Sequence, residues 1–473
     1  MSGSLMAPGP AARTLPGAAE GARRSFDVVA YLTVWLVFLY GISARQVVPG
    51  FGAIGSPAML IAMPTFLIWC AGWVLPQAGL NRGPNPMRAG LILYLAYQIL
   101  SFAVAQSRTL TPLETTGAMR ALLTAFAMAG IGLLASDGIK TVERLTTLLR
   151  RVMYGVTFVS IFGLVQFFTR QPLQILLPGL QWNRGAVGLS ERGPFVRPAG
   201  TTLNSLEFSV VTASLLPLAI HFALYGVTLR QRRHAAVGTL LIALAVPLSV
   251  SRSGVISLVV GLGILFAGWR GRRLLNGLLT VIIAIPVLWA TIPGIVGTFI
   301  GLFTGTDDDI SIQARLRRIP RIMALIRERP WLGLGNGTWS REEYFLVDNE
   351  LYVTTLEMGI VGMGLTILLL GGAVILGLCA RALPGITEDT KHLALAITAA
   401  IAAFTVSLAT FDVFHYRILT GTLFLLIGSA GALWQMHHGS DLFARLIRTG
   451  SNHKVDLQGG GLNASDLFGG PRL

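Results

Sequence analysis

Long apolar runs broken by short polar clusters dominate this chain. About twelve runs approach the 17 to 25 residues that a bilayer core of roughly 30 Å demands. They are Val28 to Ile42, Ala58 to Val74, Ala89 to Val104, Ala121 to Leu134, Val152 to Phe168, Phe208 to Tyr225, Ala235 to Val250, Val255 to Trp269, Leu274 to Ile292, Leu351 to Leu378, Leu393 to Thr410 and Ile418 to Trp434. The pattern predicts an all-α polytopic integral membrane protein with about twelve transmembrane helices and a long outer loop between the ninth and tenth.

Composition agrees, since 53% of residues are hydrophobic and only 12% charged. A soluble domain carries about 25% charged residues, so lipid must form much of this protein's boundary. Met1 to Arg24 is rich in Gly, Pro and Ala and reads as a disordered cytoplasmic N-terminus over residues 1–25, with no evident cleavable signal. The membrane domain is expected over 26–436, with outer loops at about 169–206 and 293–350, and a cytoplasmic tail over 437–473.

Charge changes the picture next. A net +15 would suggest nucleic acid in a soluble protein, but here the cations fall in clusters between apolar runs. Alternate clusters are dense: Arg13/Arg23/Arg24, Arg82/Arg88, Lys140/Arg144/Arg150/Arg151, Arg230/Arg232/Arg233, Arg270/Arg272/Arg273, Arg381/Lys391 and Arg445/Arg448/Lys454. The positive-inside rule places these in the cytoplasm, both termini with them, and Thr169 to Leu206 and Pro293 to Glu350 outside. The outer segments still carry Arg184, Arg192, Arg197, Arg252, Arg315, Arg317, Arg318, Arg321, Arg327, Arg329 and Arg341. Snorkelling to head groups is the ordinary explanation; a diphosphate-bearing ligand, which guanidinium forks match bidentately, is the other.

Other conspicuous residues add less. Cys70 and Cys379 lie inside apolar spans and read as small core residues, not as a disulfide or zinc site. Asp307-Asp308-Asp309 reads as a solvated charge run, and no metal site is expected. Glu207 and Glu357, at or inside spans, either pair with an Arg or serve function. His221 reads as a satisfied helix histidine. Asp412, His415 and Arg417 form a polar cluster at the outer end of the eleventh span.

The most specific local signal is Asp348-Asn349, then nine residues, then Gly359-Ile360-Val361-Gly362. It resembles the outer-loop motif of the O-antigen ligase and O-antigen polymerase superfamily, in which His or another polar residue precedes the Asn; here Asp348 takes the His position. Pro330-Trp331-Leu332-Gly333-Leu334-Gly335 looks like that family's Pro-x-x-Gly-x-Gly turn, and Ser311 to Arg315 like its Ser-x-x-x-Arg element. Arg197-Pro198-Ala199-Gly200-Thr201 with Asn204, and Ser251-Arg252-Ser253-Gly254, fit the same likeness, which spans about Arg197 to Leu370.

The resemblance implies a lipid-linked oligosaccharide glycosyltransferase of the bacterial plasma membrane, its active site facing outside. Such an enzyme moves glycan from an undecaprenyl-diphosphate carrier to an acceptor glycan or glycolipid, without metal or cofactor and without nucleic acid. Arg197, Arg252 and Arg315 would neutralise the leaving diphosphate. Asp348 would act as general base, its alternative being the N-cap of the helix that follows. Asn204, Arg318, Asn349 and Arg417 would contact substrate, and Gly359 and Gly362 would allow close helix packing. Aspartate in the His position points from ligase toward polymerase. A twelve-helix secondary transporter or another polysaccharide-export protein is the rival reading. Against the transporter, the longest connection is external and the two halves show no similarity.

A topological test follows. Cysteines placed at Thr306 or Ser340 should react with an impermeant thiol reagent in intact cells; labelling only after lysis would overturn the assigned orientation.

Overall fold

The structure, a computed structural model, describes residues 26–437 except 76–78, 174–176, 183–187, 305–309, 341 and 384; for 53, 302, 303, 310–312, 314 and 315 it describes the backbone alone. The helices are α1 (Val28–Gly41), α2 (Pro57–Ala62), α3 (Thr65–Val74), α4 (Pro86–Gln106), α5 (Pro112–Gly138), α6 (Val142–Thr169), α7 (Ser205–Tyr225) and α8 (Leu229–Leu248). They continue with α9 (Arg252–Ala267), α10 (Arg272–Thr291), α11 (Ile295–Thr304), α12 (Ile310–Glu328), α13 (Glu350–Ala382), α14 (Glu388–Ser407) and α15 (Arg417–His437). Two small antiparallel pairs join β1 (Gln46–Val47) to β2 (Gln181–Trp182) and β3 (Ser190–Arg192) to β4 (Phe195–Arg197).

The all-α membrane class stands. Among the described residues nine helices, counting α2 and α3 as one, are long and apolar enough to cross a bilayer, and α1 and α9 are shorter apolar helices. The expected twelve is therefore not reached by this measure. The seventh predicted span falls on α8, which opens on Arg230, Arg232 and Arg233 and is not among the nine. The predicted outer segment 293–350 is not simply a loop, because α11 and α12 lie within it.

Lipid offers no hydrophobic drive between helices, so close packing depends on small residues. The most buried helices, α7, α14 and α15, show this. Ala396, Ala399, Ala400 and Ala403 of α14 are fully buried. A Cβ on Gly428 of α15 would strike the carbonyl of Gly132 on α5, and one on Gly431 would strike Ser136. At the other extreme α10 buries no residue. Cys379 is exposed on α13, contrary to its reading as a core residue, because it lies on a helix face that no other element covers among the described residues.

Helix starts follow local chemistry. Asn85, Thr141, Thr228 and Asn204 accept from first-turn amides, and Thr111 with Glu114 makes a capping box. Several basic turns gather at one end of the bundle. There Arg144 meets Asp27, Arg88 pairs with the fully buried Asp137 at 3.1 Å, and Arg381 donates to Gly268 O. The opposite end carries the segments between α1 and α2, α6 and α7, α8 and α9, α12 and α13, and α14 and α15.

At that opposite end α13 is broken. Gly359 is non-helical (φ 67°, ψ −174°), which frees backbone groups that lipid could not satisfy. The Gly-rich turn takes them up: Leu334 N–H donates to Leu356 O (3.0 Å), Gly335 N–H to Glu357 O (2.7 Å), and Tyr97 O–H to Met358 O (2.5 Å). In return Ile360 N–H donates to Pro330 O (2.8 Å). Contact this close needs glycine on both sides. A Cβ on Gly359 would collide with the carbonyl of Trp331, and one on Gly335 (φ 105°) with Ala105 of α4. Gly359 thus breaks its helix instead of packing it, correcting the expectation, whereas Gly362 does pack closely, against Tyr97.

Gly359→Ala and Gly335→Ala should each lower the melting temperature of the detergent-solubilised protein sharply, since positive φ alone costs about 1 kcal/mol or more before the collision. Gly364→Ala, in open space on the same helix, should be neutral or mildly stabilising.

Candidate active site

Three arginines converge where α8 turns into α9. The β3–β4 hairpin lays Arg192 and Arg197 against that turn: Arg197 Nε donates to Ser249 O (3.2 Å) and Arg192 Nη1 to Val250 O (3.5 Å). Arg252 is the first residue of α9. The turn is strained, for Val250 is held at φ 45°, a conformation that β-branched residues rarely adopt. Gly254 lets α9 press on Ser209 of α7, where Ser209 and Ser251 hydroxyls bond at 2.9 Å. Arg197 Nη2 is buried and has no hydrogen-bond partner among the described residues. Burial, and then the neighbouring charge of Arg192, pulls the Arg197 pKa down to about 10, so the group stays cationic at neutral pH.

The segment carrying Arg197 is anchored from behind. Gln166 of α6 accepts from the amides of Ala199 (2.9 Å) and Gly200 (2.8 Å) and donates to Gly200 O, while Thr201 Oγ1 donates to Tyr40 O. Gly200 sits at φ 57° against the backbone of Val159.

Buried carboxylates hold the other walls, and they bind backbone amides. Glu207 Oε1 accepts from Ile418 and Leu419 (2.9 and 3.2 Å), capping α15, and its Oε2 accepts from Leu203 (2.7 Å). Glu350 Oε2 accepts from Phe414 N–H (3.0 Å), and Glu357 Oε1 from Trp339 N–H (2.9 Å). Backbone binding was not among the roles expected for Glu207 and Glu357. In low dielectric an amide dipole at a helix or turn start satisfies a carboxylate without bringing in a second charge.

The expected site residues divide by what they touch. Asn204 caps α7 and donates to Tyr416 Oη (3.0 Å). Asn349, not Asp348, caps α13, accepting from Leu351 N–H (2.9 Å) and donating to Ala409 O, so the capping alternative for Asp348 does not hold. Arg318 donates to Leu346 O (2.9 Å) and Arg417 to Ala44 O (3.0 Å). Arg315 lies on α12, its side chain outside the described residues, as are Arg184, Arg341 and the Asp307 to Asp309 run. Asp348 immediately precedes the cap, half-buried.

Several contributors went unread in the sequence. Asn336 of the Gly-rich turn bonds Gln98 (2.5 Å) and Ser101 (2.8 Å) on α4. Arg108 grips Glu114 through two nitrogens, and Tyr344 O–H reaches the same carboxylate at 2.7 Å. The hydrogen bond to Glu114 raises the Arg108 pKa. Gln98 in an apolar span, and the Thr111/Glu114 capping box beside Arg108, were the available signals.

Residues 237–367 match a family model described as O-Antigen ligase. That stretch is similar to the O-antigen ligase family. The match supports the O-antigen ligase and polymerase superfamily and, at the level of the family, an O-antigen ligase-like function in a multi-pass bacterial inner-membrane protein. No curated protein matches the chain. The O-antigen ligase match takes in most of α8, all of α9 to α12, the Gly-rich turn and the break in α13. Arg252, Arg315, Arg318, Asp348 and Asn349 lie within it, and Arg192, Arg197, Asn204 and Arg417 outside it.

Proposed function

We propose that this protein transfers glycan from an undecaprenyl-diphosphate-linked donor to a hydroxyl of an acceptor glycan or glycolipid, on the outer side of the membrane, in the manner of a polymerase. The observation that carries the reading is the meeting of Arg192, Arg197 and Arg252 at one strained turn, with a buried guanidinium nitrogen of Arg197 lacking a partner among the described residues. A diphosphate oxygen supplies that partner. The O-antigen ligase match over the same turn supports it.

In the reaction the acceptor oxygen bonds to the sugar C1 as the C1–O bond to the diphosphate breaks, and the electron pair departs with the diphosphate. Arg192, Arg197, Arg252 and Arg315 stabilise the charge that develops there. Fixed guanidinium groups do this without reorganising at the moment of transfer. Asp348 serves the acceptor side, as the carboxylate toward which the hydroxyl proton moves.

Arg252→Lys keeps the charge but loses the fork, and should cut transfer on purified lipid-linked substrate about 100-fold. Normal turnover by well-expressed Arg252→Ala would reduce Arg252 to a snorkelling residue. Because Asn349 is the cap, Asp348→Asn leaves the cap intact. It should still lose at least about 100-fold in rate, and wild-type turnover would remove Asp348 from the chemistry.

A further inference from the structure

Histidine titrates in the range that suits a base at neutral pH. The chain has seven histidines. His221 and His392 bond to each other at 3.1 Å at the end of the bundle away from the arginine turn. His234 near the start of α8 and His437 at the end of α15 lie at that same far end, and His438 and His453 lie outside the described residues. Among the described residues, His415 alone is at the site end.

Its placement is over-determined. His415 closes the 3-10 turn Val413–His415 and is exposed, its ring nearly perpendicular to that of Tyr416 at 5.6 Å between centroids. The residue before it is bound by Glu350 and the residue after it by Asn204, and Ile418 is bound by Glu207. Two buried carboxylates on different helices therefore pin the backbone on both sides of an imidazole that faces outward. The same contacts bring in Asp348, which stands two residues before Glu350. His415 stands one residue past Phe414, so the Glu350–Phe414 bond ties the two segments together.

We propose that His415 takes the proton from the acceptor hydroxyl, with Asp348 as the carboxylate that holds the resulting imidazolium; this rests on the glycan-transfer reading above. The hydroxyl oxygen forms its bond to C1, the C1–O bond to the diphosphate breaks with its pair going to the diphosphate, and the hydroxyl proton passes to an imidazole nitrogen and then to water. Asp412 and Arg417 flank His415 in its own segment, Glu350 at the start of α13 and Glu207 on α7 bind that segment on either side, and Asp348 stands two residues before Glu350. The carboxylates favour the imidazolium, and Arg417 opposes it.

The test is the pH profile of transfer by the full-length protein in detergent or nanodiscs, using a polyprenyl-diphosphate-linked oligosaccharide. Wild type should lose activity on acidification with an apparent pKa of about 6 to 7, the imidazole range. His415→Gln should fall by about 100-fold or more and lose that limb, and added imidazole should restore part of the activity of His415→Ala. An acid limb near pH 4 in wild type, or His415→Gln within about twofold of wild type with its limb unchanged, overturns the inference while leaving the transferase reading intact. The wild-type limb decides the matter even where a variant fails to fold. Wild type that turns over no lipid-linked glycan overturns the transferase reading, and the role of His415 with it.

Discussion

Backbone polar groups inside a membrane have no water to turn to, and the architecture of the site follows from how this chain meets that constraint. A continuous α13 would have been self-sufficient. The break at Gly359 leaves carbonyls and amides that would each cost several kcal/mol unpaired in hydrocarbon. The turn 330–337, folded back against the break, supplies the partners together with Tyr97, and it fits because glycine stands at 333, 335 and 359 where side chains would collide with backbone. Once seated there, the turn brings Asn336 to α4 and sets where the chain re-enters α13, and so where Asp348 stands.

The same accounting explains the buried carboxylates. Glu207, Glu350 and Glu357 each take backbone amides of loops or helix starts that the bundle would otherwise leave unsatisfied. A carboxylate paired with several amides gives strong, directional bonds and fixes loop position to within a bond length. The consequence is functional. The 408–419 segment is locked to α7 on one side and α13 on the other, so Asp412, His415 and Arg417 present their side chains from a rigid base.

The cationic side works by the opposite device. Arg192 and Arg197 lie on a two-stranded hairpin and reach the carbonyls of a strained turn. A carbonyl partner orients a guanidinium without itself neutralising the charge, which suits an anion site. Pairing with a carboxylate, as Arg108 does with Glu114, gives a structural clamp but no anion site.

The sequence by itself determined the class, because span length and the scarcity of charge follow from bilayer thickness and the cost of burying ions. It also held the motifs that fall within the O-antigen ligase match, since the glycines at 333, 335, 359 and 362 and the arginine at 252 are local signals. It did not determine the number of crossing helices. The amphipathic start of α8 and the helices within 293–350 depend on their surroundings more than on hydropathy. Nor could it show that Gly359 breaks its helix, that Asn349 rather than Asp348 is the cap, or that Glu207 and Glu350 bind amides more than sixty residues away. Those are pairings between distant parts of the chain, and a linear pattern holds no record of which donor meets which acceptor until the helices pack.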